Sequence, residues 1–414
     1  MQQEILTHIG NPAELERVYR ANKSAFKRAF TTLYPQLQDN SLAAFWNARL
    51  NYVREEIAWG SRRELIFVLG LALLAGLLAK LPAIFHINDA FFYTRNAGFI
   101  IFPMLAIYFG WKNQLSTINA LVVTGLALTG LVFMNLFPDN PASDTLTLSC
   151  IHMCIFLWAL LGFVFSGAGR NTLEKRLGYL SYNGDLVVMS TLLLIAGGIL
   201  SAVTNGLFLL IGINIEKFYF QNVVIFGLPF VPIVGTYLTQ TNPQLVGKVS
   251  PVIAKIFSPL VLVMLVIYLA AVVYTGKDPY NDRGFLLIFN ALLVGVMAII
   301  FFSVAESSRT RASRGEIWVL VLLSLVTIVV NGIALSAILF RISEWGMTPN
   351  RAAVLGSNGL MLVNLLWVAL RLAGVISGKK NISTVGNAIA VFLPVYGVWA
   401  AIVSFVFPFV FGFK

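Results

Sequence analysis

The chain has 414 residues, of which 58% are hydrophobic and only 11% are charged, and its mean hydropathy is +0.82. Soluble domains contain about 45–50% apolar and about 25% charged residues, so this composition excludes an ordinary soluble domain. The formal net charge of +11 does not require a nucleic-acid partner, because Lys and Arg accumulate in the cytoplasmic loops of membrane proteins. The composition predicts a multi-pass protein surrounded by membrane lipids, with no nucleic acid among its partners.

Residues 1–64 form a polar segment in which apolar side chains recur at helical spacing. Asn11 followed by Pro12 favours a helix start, Pro35 ends that helix, and a second helix is predicted from Ser41. We expect a small amphipathic helical hairpin on the cytoplasmic side. It either packs on the membrane part or the bilayer surface, or it recruits a partner protein.

Residues 65–414 alternate long apolar runs with short polar breaks. About 20 helical residues cross the roughly 30 Å of hydrocarbon, and lipid cannot satisfy an open backbone. We therefore predict an all-α polytopic transmembrane helix bundle of about eleven spans. The predicted spans are residues 65–87, 97–111, 118–138, 146–168, 185–211, 218–240, 251–275, 284–304, 316–340, 352–373 and 385–412. The last one contains two prolines and could instead form a re-entrant pair.

The positions of the charged residues predict the orientation of the chain in the membrane and argue against proton-coupled transport. Most Lys and Arg residues between the predicted spans fall on the same side as the N-terminus, which predicts a cytoplasmic N-terminus. The acidic residues lie outside the predicted spans or at their borders, as Asp185, Glu306 and Glu316 do. Proton-coupled carriers generally keep a carboxylate near the bilayer midplane, so this distribution argues against such a carrier.

The predicted spans carry amide side chains instead, at Asn135, Asn205, Asn290, Asn331 and Asn364. Asparagine contributes interhelical hydrogen bonds worth roughly 0.6–2 kcal/mol in a membrane. These amides therefore either join helices or line a polar cavity.

The strongest interruption of any span lies between Gly227 and Gly235, where Pro229 and Pro232 each remove a backbone donor. A broken helix at membrane depth is tolerated where it faces protein or a wet cavity. The four residues are candidates for the lining of a permeation or binding site, and a simple packing kink is the alternative.

A polar loop separates the spans predicted at 316–340 and 352–373. Gly346 is typical of a helix end, Thr348 of an N-cap and Pro349 of a first helical position. The helix-dipole rule disfavours Glu344 at that helix end and Arg351 in the next first turn.

Two interpretations of these charges remain open. Glu344 and Arg351 could form a structural clasp beside Arg341, or Arg351 could help to hold a lipid phosphate or a carboxylate substrate.

This loop also carries a family resemblance. The stretch 341–351, with Trp345-Gly346-Met347-Thr348 inside it, resembles the arginine–aromatic–Gly–Leu–Thr–x–x–Arg signature of the bacterial membrane family called domain of unknown function 4153. Residues 254–260 are similar to that family's lysine–aromatic–proline start of a long span. The resemblance covers residues 250–375, with Trp345 in place of tyrosine and Met347 in place of leucine. It implies a polytopic protein of the bacterial cytoplasmic (inner) membrane and no particular substrate.

Three hypotheses about function follow. The first is transport, channel activity or lipid handling, based on the broken span and the amides. The second is a non-catalytic subunit or sensor that recruits a protein through residues 1–64. The third is an enzyme acting on a lipid-linked substrate through the loop at Arg341, Glu344 and Arg351. No catalytic motif and no metal-ligand spacing occurs in the sequence, so we expect no cofactor, no metal site and no assigned catalytic residue.

Overall fold

A computed structural model describes most of the chain. The described residues are 1–37, 40–50, 60–140, 142–167, 172–210, 213–246, 249–275, 280, 283–309 and 313–414. Internal contacts divide the chain into two compact units, Met1–Ala58 and Trp59–Lys414. Residues 62–64, which the sequence grouped with the N-terminal segment, belong to the first helix of the larger unit.

The described residues of the N-terminal unit form four short α-helices and one 3-10 turn at Tyr34–Gln36. The helices are α1 (Gln2–Thr7), α2 (Pro12–Ala21), α3 (Lys23–Leu33) and α4 (Ser41–Leu50). The predicted start at Asn11 is confirmed, because its Oδ1 accepts from the backbone of Ala13 at 3.1 Å. The predicted two-helix hairpin is wrong: extended backbone at Asn22 ends α2, and its side chain caps α3. The continuation predicted beyond Leu50 lies outside the described residues.

An aromatic cluster forms the core of this unit. Trp46 is 2% exposed, and its ring lies 5.0 Å from that of Phe26 and 5.4 Å from that of Tyr19. The guanidinium of Arg49 covers the Trp46 ring at 4.7 Å and also pairs with Glu16 at 2.7 Å. The unit thus holds its helices together with its own aromatic and ionic contacts.

The secondary structure in the described ranges of the larger unit is helical and without strands, and it includes two π-helical segments at Phe220–Val224 and Ile402–Val406. Its α-helices are α5 (Arg62–Ala79), α6 (Leu81–Phe85), α7 (Asp89–Lys112), α8 (Thr117–Leu136), α9 (Asp144–Ser166), α10 (Thr172–Leu210), α11 (Glu216–Tyr219), α12 (Ile225–Gly227), α13 (Phe230–Thr241), α14 (Pro243–Val246), α15 (Val249–Thr275), α16 (Arg283–Arg309), α17 (Arg314–Trp345), α18 (Pro349–Ile376), α19 (Ser383–Ala401) and α20 (Phe407–Val410).

Eight helices in the described part are long and apolar enough to cross a membrane, or nine when a bent pair counts as one span. The all-α polytopic bundle is therefore confirmed, whereas the count of about eleven is not. Helix α5 has 18 residues and begins with three charged side chains, which leaves an apolar stretch shorter than about 20 residues. Within α15 the apolar stretch found is Ala254–Ile267. The last predicted span is continuous over Ser383–Val410, so the re-entrant alternative is wrong.

Two large apolar clusters form the interior of this unit. One joins α10 with α15–α19, and the other joins α5, α7, α9, α10 and α13. Asp185 and Glu306 belong to this interior, being 8% and 3% exposed. Asp185 lies well inside α10, because that helix begins at Thr172. The bundle therefore buries two carboxyl groups, and Asp185 lies within a helix instead of at the border where the sequence placed it.

Candidate functional site

Two prolines bend one of the apolar spans. Helices α11 and α12, with the π-helical segment between them, meet α13 at an angle of 40°. Pro229 occupies the N-cap position of α13, and Pro232 follows in its first turn. Neither proline has an N–H to continue the helical ladder, so the break predicted here is present.

Close packing fixes both halves of the bent span. A Cβ on Gly76 of α5 would lie 2.8 Å from the carbonyl oxygen of Phe226, so only glycine allows this approach. On α13, Gly235 packs against α10, and the hydroxyls of Tyr182 and Thr236 are 2.7 Å apart. Helix α13 is thereby held to α10, while the earlier half of the span leans away at the bend.

This divergence leaves an open crevice of about 620 Å³ between α10 and the bent span. It follows α10 from Leu193 to Leu209, a distance of about 24 Å at 1.5 Å per helical residue. Aliphatic side chains supply most of its wall. Of the predicted bend residues, Gly227 lines the crevice, whereas Pro229, Pro232 and Gly235 do not line it and lie at or after the bend.

Missing side chains create much of this space. Four glycines line the crevice, and a Cβ on any of them would meet nothing within 4 Å. They are Gly197, Gly198, Gly206 and Gly227. The space therefore accepts added volume without a clash inside the protein.

Polar groups gather toward the Leu209 end of the crevice. The Asn205 Nδ2 donates to the carbonyl oxygen of Ser201 at 2.9 Å, and its buried Oδ1 has no hydrogen-bond partner among the described residues. Tyr219 brings its hydroxyl within 3.4 Å of the Ser201 hydroxyl. Glu216 is exposed at the same end, where its backbone N–H donates to the Asn214 Oδ1 at 3.0 Å. The side chains of Asn205 and Glu216 place hydrogen-bond acceptors at this end of the crevice.

The other predicted amides lie at helix contacts. Asn290 accepts from the Asn358 Nδ2 at 2.7 Å, and Asn331 donates to the Asn358 carbonyl oxygen at 3.1 Å. Asn364 donates to the carbonyl oxygen of Ala388 at 3.2 Å. The sequence reasoning missed Asn358, which joins two of these amides from a third helix. The sequence signal that could have identified it is an asparagine inside the span predicted at residues 352–373.

Asn135 forms a separate contact. It exchanges two hydrogen bonds with Asn96, of 3.0 and 2.8 Å, and so joins α8 to α7. Of all the predicted amides, Asn205 is the one placed on the crevice.

The loop between α17 and α18 has the predicted helix signals. Gly346 has a φ of 75° at the end of α17, and Thr348 caps α18 by accepting from the Arg351 N–H at 3.3 Å. The Arg351 Nη1 donates to the carbonyl oxygens of Trp345 and Gly346 at 2.9 and 2.7 Å. Within the described chain, Glu344 is exposed and forms no ion pair.

Arg341 turns to a different partner. Its Nε donates to the carbonyl oxygen of Tyr280 at 2.8 Å, and its guanidinium lies 5.5 Å from the Trp345 ring. The three predicted loop residues are therefore near one another along the chain, and each guanidinium binds backbone oxygen.

A second polar site, which the sequence reasoning missed, lies between α15, α16 and α17. Lys255 and Glu316 pair at 3.1 Å beside a cavity of about 90 Å³, and the hydroxyls of Ser258 and Ser303 are 2.7 Å apart. Glu306 also lines this cavity. These groups come from three helices, so only the tertiary structure brings them together.

The fold and its exposed apolar helices define the class of protein: the chain is an all-α, multi-pass integral membrane protein. Among the described residues, no three His, Cys, Asp or Glu side chains gather where they could hold a metal ion. No protein-family model matches the sequence, and no characterised protein and no solved structure matches it. The resemblance in residues 250–375 therefore stays a prediction.

Proposed function

We propose that the protein handles lipid, binding an amphipathic, lipid-like molecule in the crevice between α10 and the bent span. The observation that carries the proposal is the crevice itself, an open apolar space of about 620 Å³ with the acceptor-bearing side chains of Asn205 and Glu216 at one end. Its length of about 24 Å suits one extended acyl chain. Its polar end suits a headgroup.

The molecule reaches the crevice from the bilayer. In the most apolar stretch of α10, only 6% of the residues are buried inside the protein, against 50% in the corresponding stretch of α16. The crevice wall is thus continuous with a lipid-facing surface, and a chain enters sideways without crossing water.

The headgroup determines which molecule binds. Lipid tails are already in an apolar solvent, so moving a chain into the crevice gains little hydrophobic free energy. Selectivity must come from the polar end, where Asn205 and the exposed Glu216 side chain line the crevice and carry hydrogen-bond acceptors. These groups favour a headgroup that donates, such as an ammonium or a set of hydroxyls.

The test uses a variant whose larger side chain occupies the crevice without disturbing the fold. We expect Gly198→Phe to reduce the lipid retained through mild-detergent purification, measured by mass spectrometry of the extracted lipids. The matched control is Gly295→Phe on α16, where a Cβ also meets nothing within 4 Å and no wall of the crevice is formed. Equal lipid retention in both variants and the parent protein contradicts the proposal.

Partner recruitment is the second candidate function, favoured by a single observation. Residues 1–58 form a compact unit with its own buried aromatic core. Removing them then eliminates a stoichiometric protein partner from the purified sample and leaves the membrane unit intact. If no protein is lost on removal, this candidate fails.

The proposed location of the protein in the cell is supported by its Lys and Arg distribution and by the family resemblance. On this proposal the protein lies in the bacterial cytoplasmic membrane with its N-terminus in the cytoplasm.

A further inference from the structure

A second crevice, of about 460 Å³, lies between α7, α8 and α9. Its lining is apolar apart from Thr124 and the Trp111 ring, and it follows α7 from Phe99 to Trp111. Helix α8 forms one wall, and only 17% of the residues in its most apolar stretch are buried inside the protein. The crevice is therefore open to the surrounding lipid.

Basic side chains stand at one end of this crevice. An open space of about 470 Å³ is bordered by Arg63, Glu64, Lys112 and Gln114, and it shares Trp111 with the apolar crevice. The two spaces thus meet at one indole ring. Tryptophan favours the boundary between hydrocarbon and water, which suits a ligand with one apolar and one polar part.

The charges at this mouth do not cancel. The Glu64 Oε1 accepts from the Tyr108 hydroxyl at 2.8 Å and from the Lys112 Nζ at 3.3 Å. Arg63 is exposed and forms no ion pair within the described residues, and Arg62 beside it is also exposed. Among the described residues that border the mouth, one carboxylate therefore faces two cations, Arg63 and Lys112, and Lys112 keeps donors to spare.

A helix terminus adds to this positive field. Gln114 and the crevice residue Leu115 directly precede α8, whose N-terminus is capped by Ser116 and has no acidic residue in its first turn. The N-terminal end of a helix carries a partial positive charge.

We propose that this composite site binds an anionic phospholipid, with one acyl chain in the α7–α9 crevice and the phosphate between Arg63 and Lys112. Charge complementarity selects an anionic headgroup, and the apolar crevice selects a lipid over free phosphate. The site lies on the side that the Lys and Arg distribution predicts to be cytoplasmic, and basic pockets between helices on that side suit anionic headgroups. Its ligand is opposite in character to the hydrogen-bond donor proposed for the first crevice.

The experiment titrates the full chain in detergent with phosphatidylglycerol and, separately, with phosphatidylcholine, and counts bound lipids by native mass spectrometry. We expect tighter binding of phosphatidylglycerol. Each basic residue near a membrane surface changes affinity for anionic lipid about fivefold, so Arg63→Gln with Lys112→Gln is expected to weaken this binding about 25-fold.

Two further variants separate this site from general charge and from misfolding. Lys379→Gln with Lys380→Gln removes the same charge from exposed residues elsewhere on the predicted cytoplasmic side, and we expect no loss of phosphatidylglycerol selectivity. Gly110→Leu keeps every charge and extends into the crevice, since a Cβ there would make ordinary contacts of 3.8–4.0 Å; we expect weaker binding.

Several results would overturn the proposal. One is equal affinity for the two lipids. Another is unchanged phosphatidylglycerol binding in both Arg63→Gln with Lys112→Gln and Gly110→Leu. A third is equal loss in the Lys379→Gln with Lys380→Gln control.

Discussion

Arg351 connects the end of one span to the start of the next through backbone oxygen. Its guanidinium reaches two carbonyl groups at the C-terminus of α17, and its own N–H is capped by Thr348. The helix end carries partial negative charge, which explains why a cation is stable there although it belongs to the first turn of α18. The unfavourable position within α18 is thus offset by a favourable one beside α17.

This geometry predicts different results for the two charged residues of the loop. Arg351→Lys loses the planar two-carbonyl contact, because an ammonium is a point donor. We expect a loss of about 0.5–1.5 kcal/mol in unfolding free energy, measured by thermal or denaturant unfolding in detergent. Glu344→Gln is expected to change it by less than about 0.5 kcal/mol, as for other surface substitutions. Destabilisation by Glu344→Gln equal to that of Arg351→Lys would indicate an ion pair instead.

Glu16 couples the N-terminal unit to pH. The hydrogen bond from Arg20, together with the pairing with Arg49, holds the pKa of Glu16 below its ordinary value of 4.5. A carboxylate with a lowered pKa stabilises the folded unit above its unfolded pKa, and the contribution disappears as the pH falls through the folded pKa.

Glu16→Gln is therefore expected to speed hydrogen exchange in α2 and α4 at pH 7, relative to the parent protein at the same pH. Below the lowered pKa of Glu16, the difference in exchange between the variant and the parent protein is expected to disappear, because Glu16 is then neutral in both the folded and the unfolded parent protein. The measurement is exchange mass spectrometry of the full chain. A difference of equal size at both pH values would show that charge is not the cause.

Residue-level signals were predictable where they act locally. Gly346, Thr348 and Asn11 work through backbone within three or four residues, so their spacing alone predicts them. The partners of Arg351 and Asn205 were not predictable in the same way. Asn205 bonds within its own helix, and only the packing of the bent span reveals that this residue lines a crevice.

At the scale of elements, the bent span determines whether the first crevice exists. Its α13 half is fixed to α10 by the Gly235 contact and the Tyr182–Thr236 hydrogen bond. The other half is packed on α5 at Gly76. A straight helix could not keep both contacts and also diverge from α10, so the bend and the crevice have one cause.

Restoring the backbone donors is expected to narrow the crevice. Pro229→Ala with Pro232→Ala permits an unbroken helical ladder, and we expect the purified variant to retain less lipid than the parent, with unfolding little changed. Pro394→Ala is the control, because α19 continues through Pro394 within one unbroken span. Unchanged lipid retention in the double variant would mean that the prolines do not shape a binding site.

Some properties of the helices follow from local sequence patterns, and others do not. The bend was predictable, since two prolines three residues apart have a local effect. The length of α10 was not, because its first turns carry charged and polar residues that resemble a loop until Leu180 and Ser181 become buried against other helices. The same error placed Asp185 at the border of a span.

At the scale of the whole molecule, helix α5 connects the regions of the two crevices. Near its start, Glu64 binds Lys112 at the basic mouth. Just after its end, the Lys80 Nζ donates to the Gln221 carbonyl oxygen at 2.6 Å, beside the first half of the bent span. The two crevices therefore have their polar ends on opposite sides of the bundle, one rich in acceptors and the other rich in cations.

This arrangement could not be derived from the sequence, although the fold class could. Apolar run lengths predict helices and a membrane, because each run acts alone. A crevice needs helices that are distant in sequence to diverge, as α10 and the bent span do. The predicted span count stays unconfirmed for a related reason: three of the first residues of α5 are charged, which shortens its apolar stretch.

A density map of the full chain in a lipid nanodisc, obtained by electron cryo-microscopy, tests lipid binding most directly. The account predicts an elongated density between α10 and the bent span that runs from Leu193 toward Asn205, with a headgroup near Glu216. An empty crevice, or α10 packed against the bent span along its whole length, would contradict it.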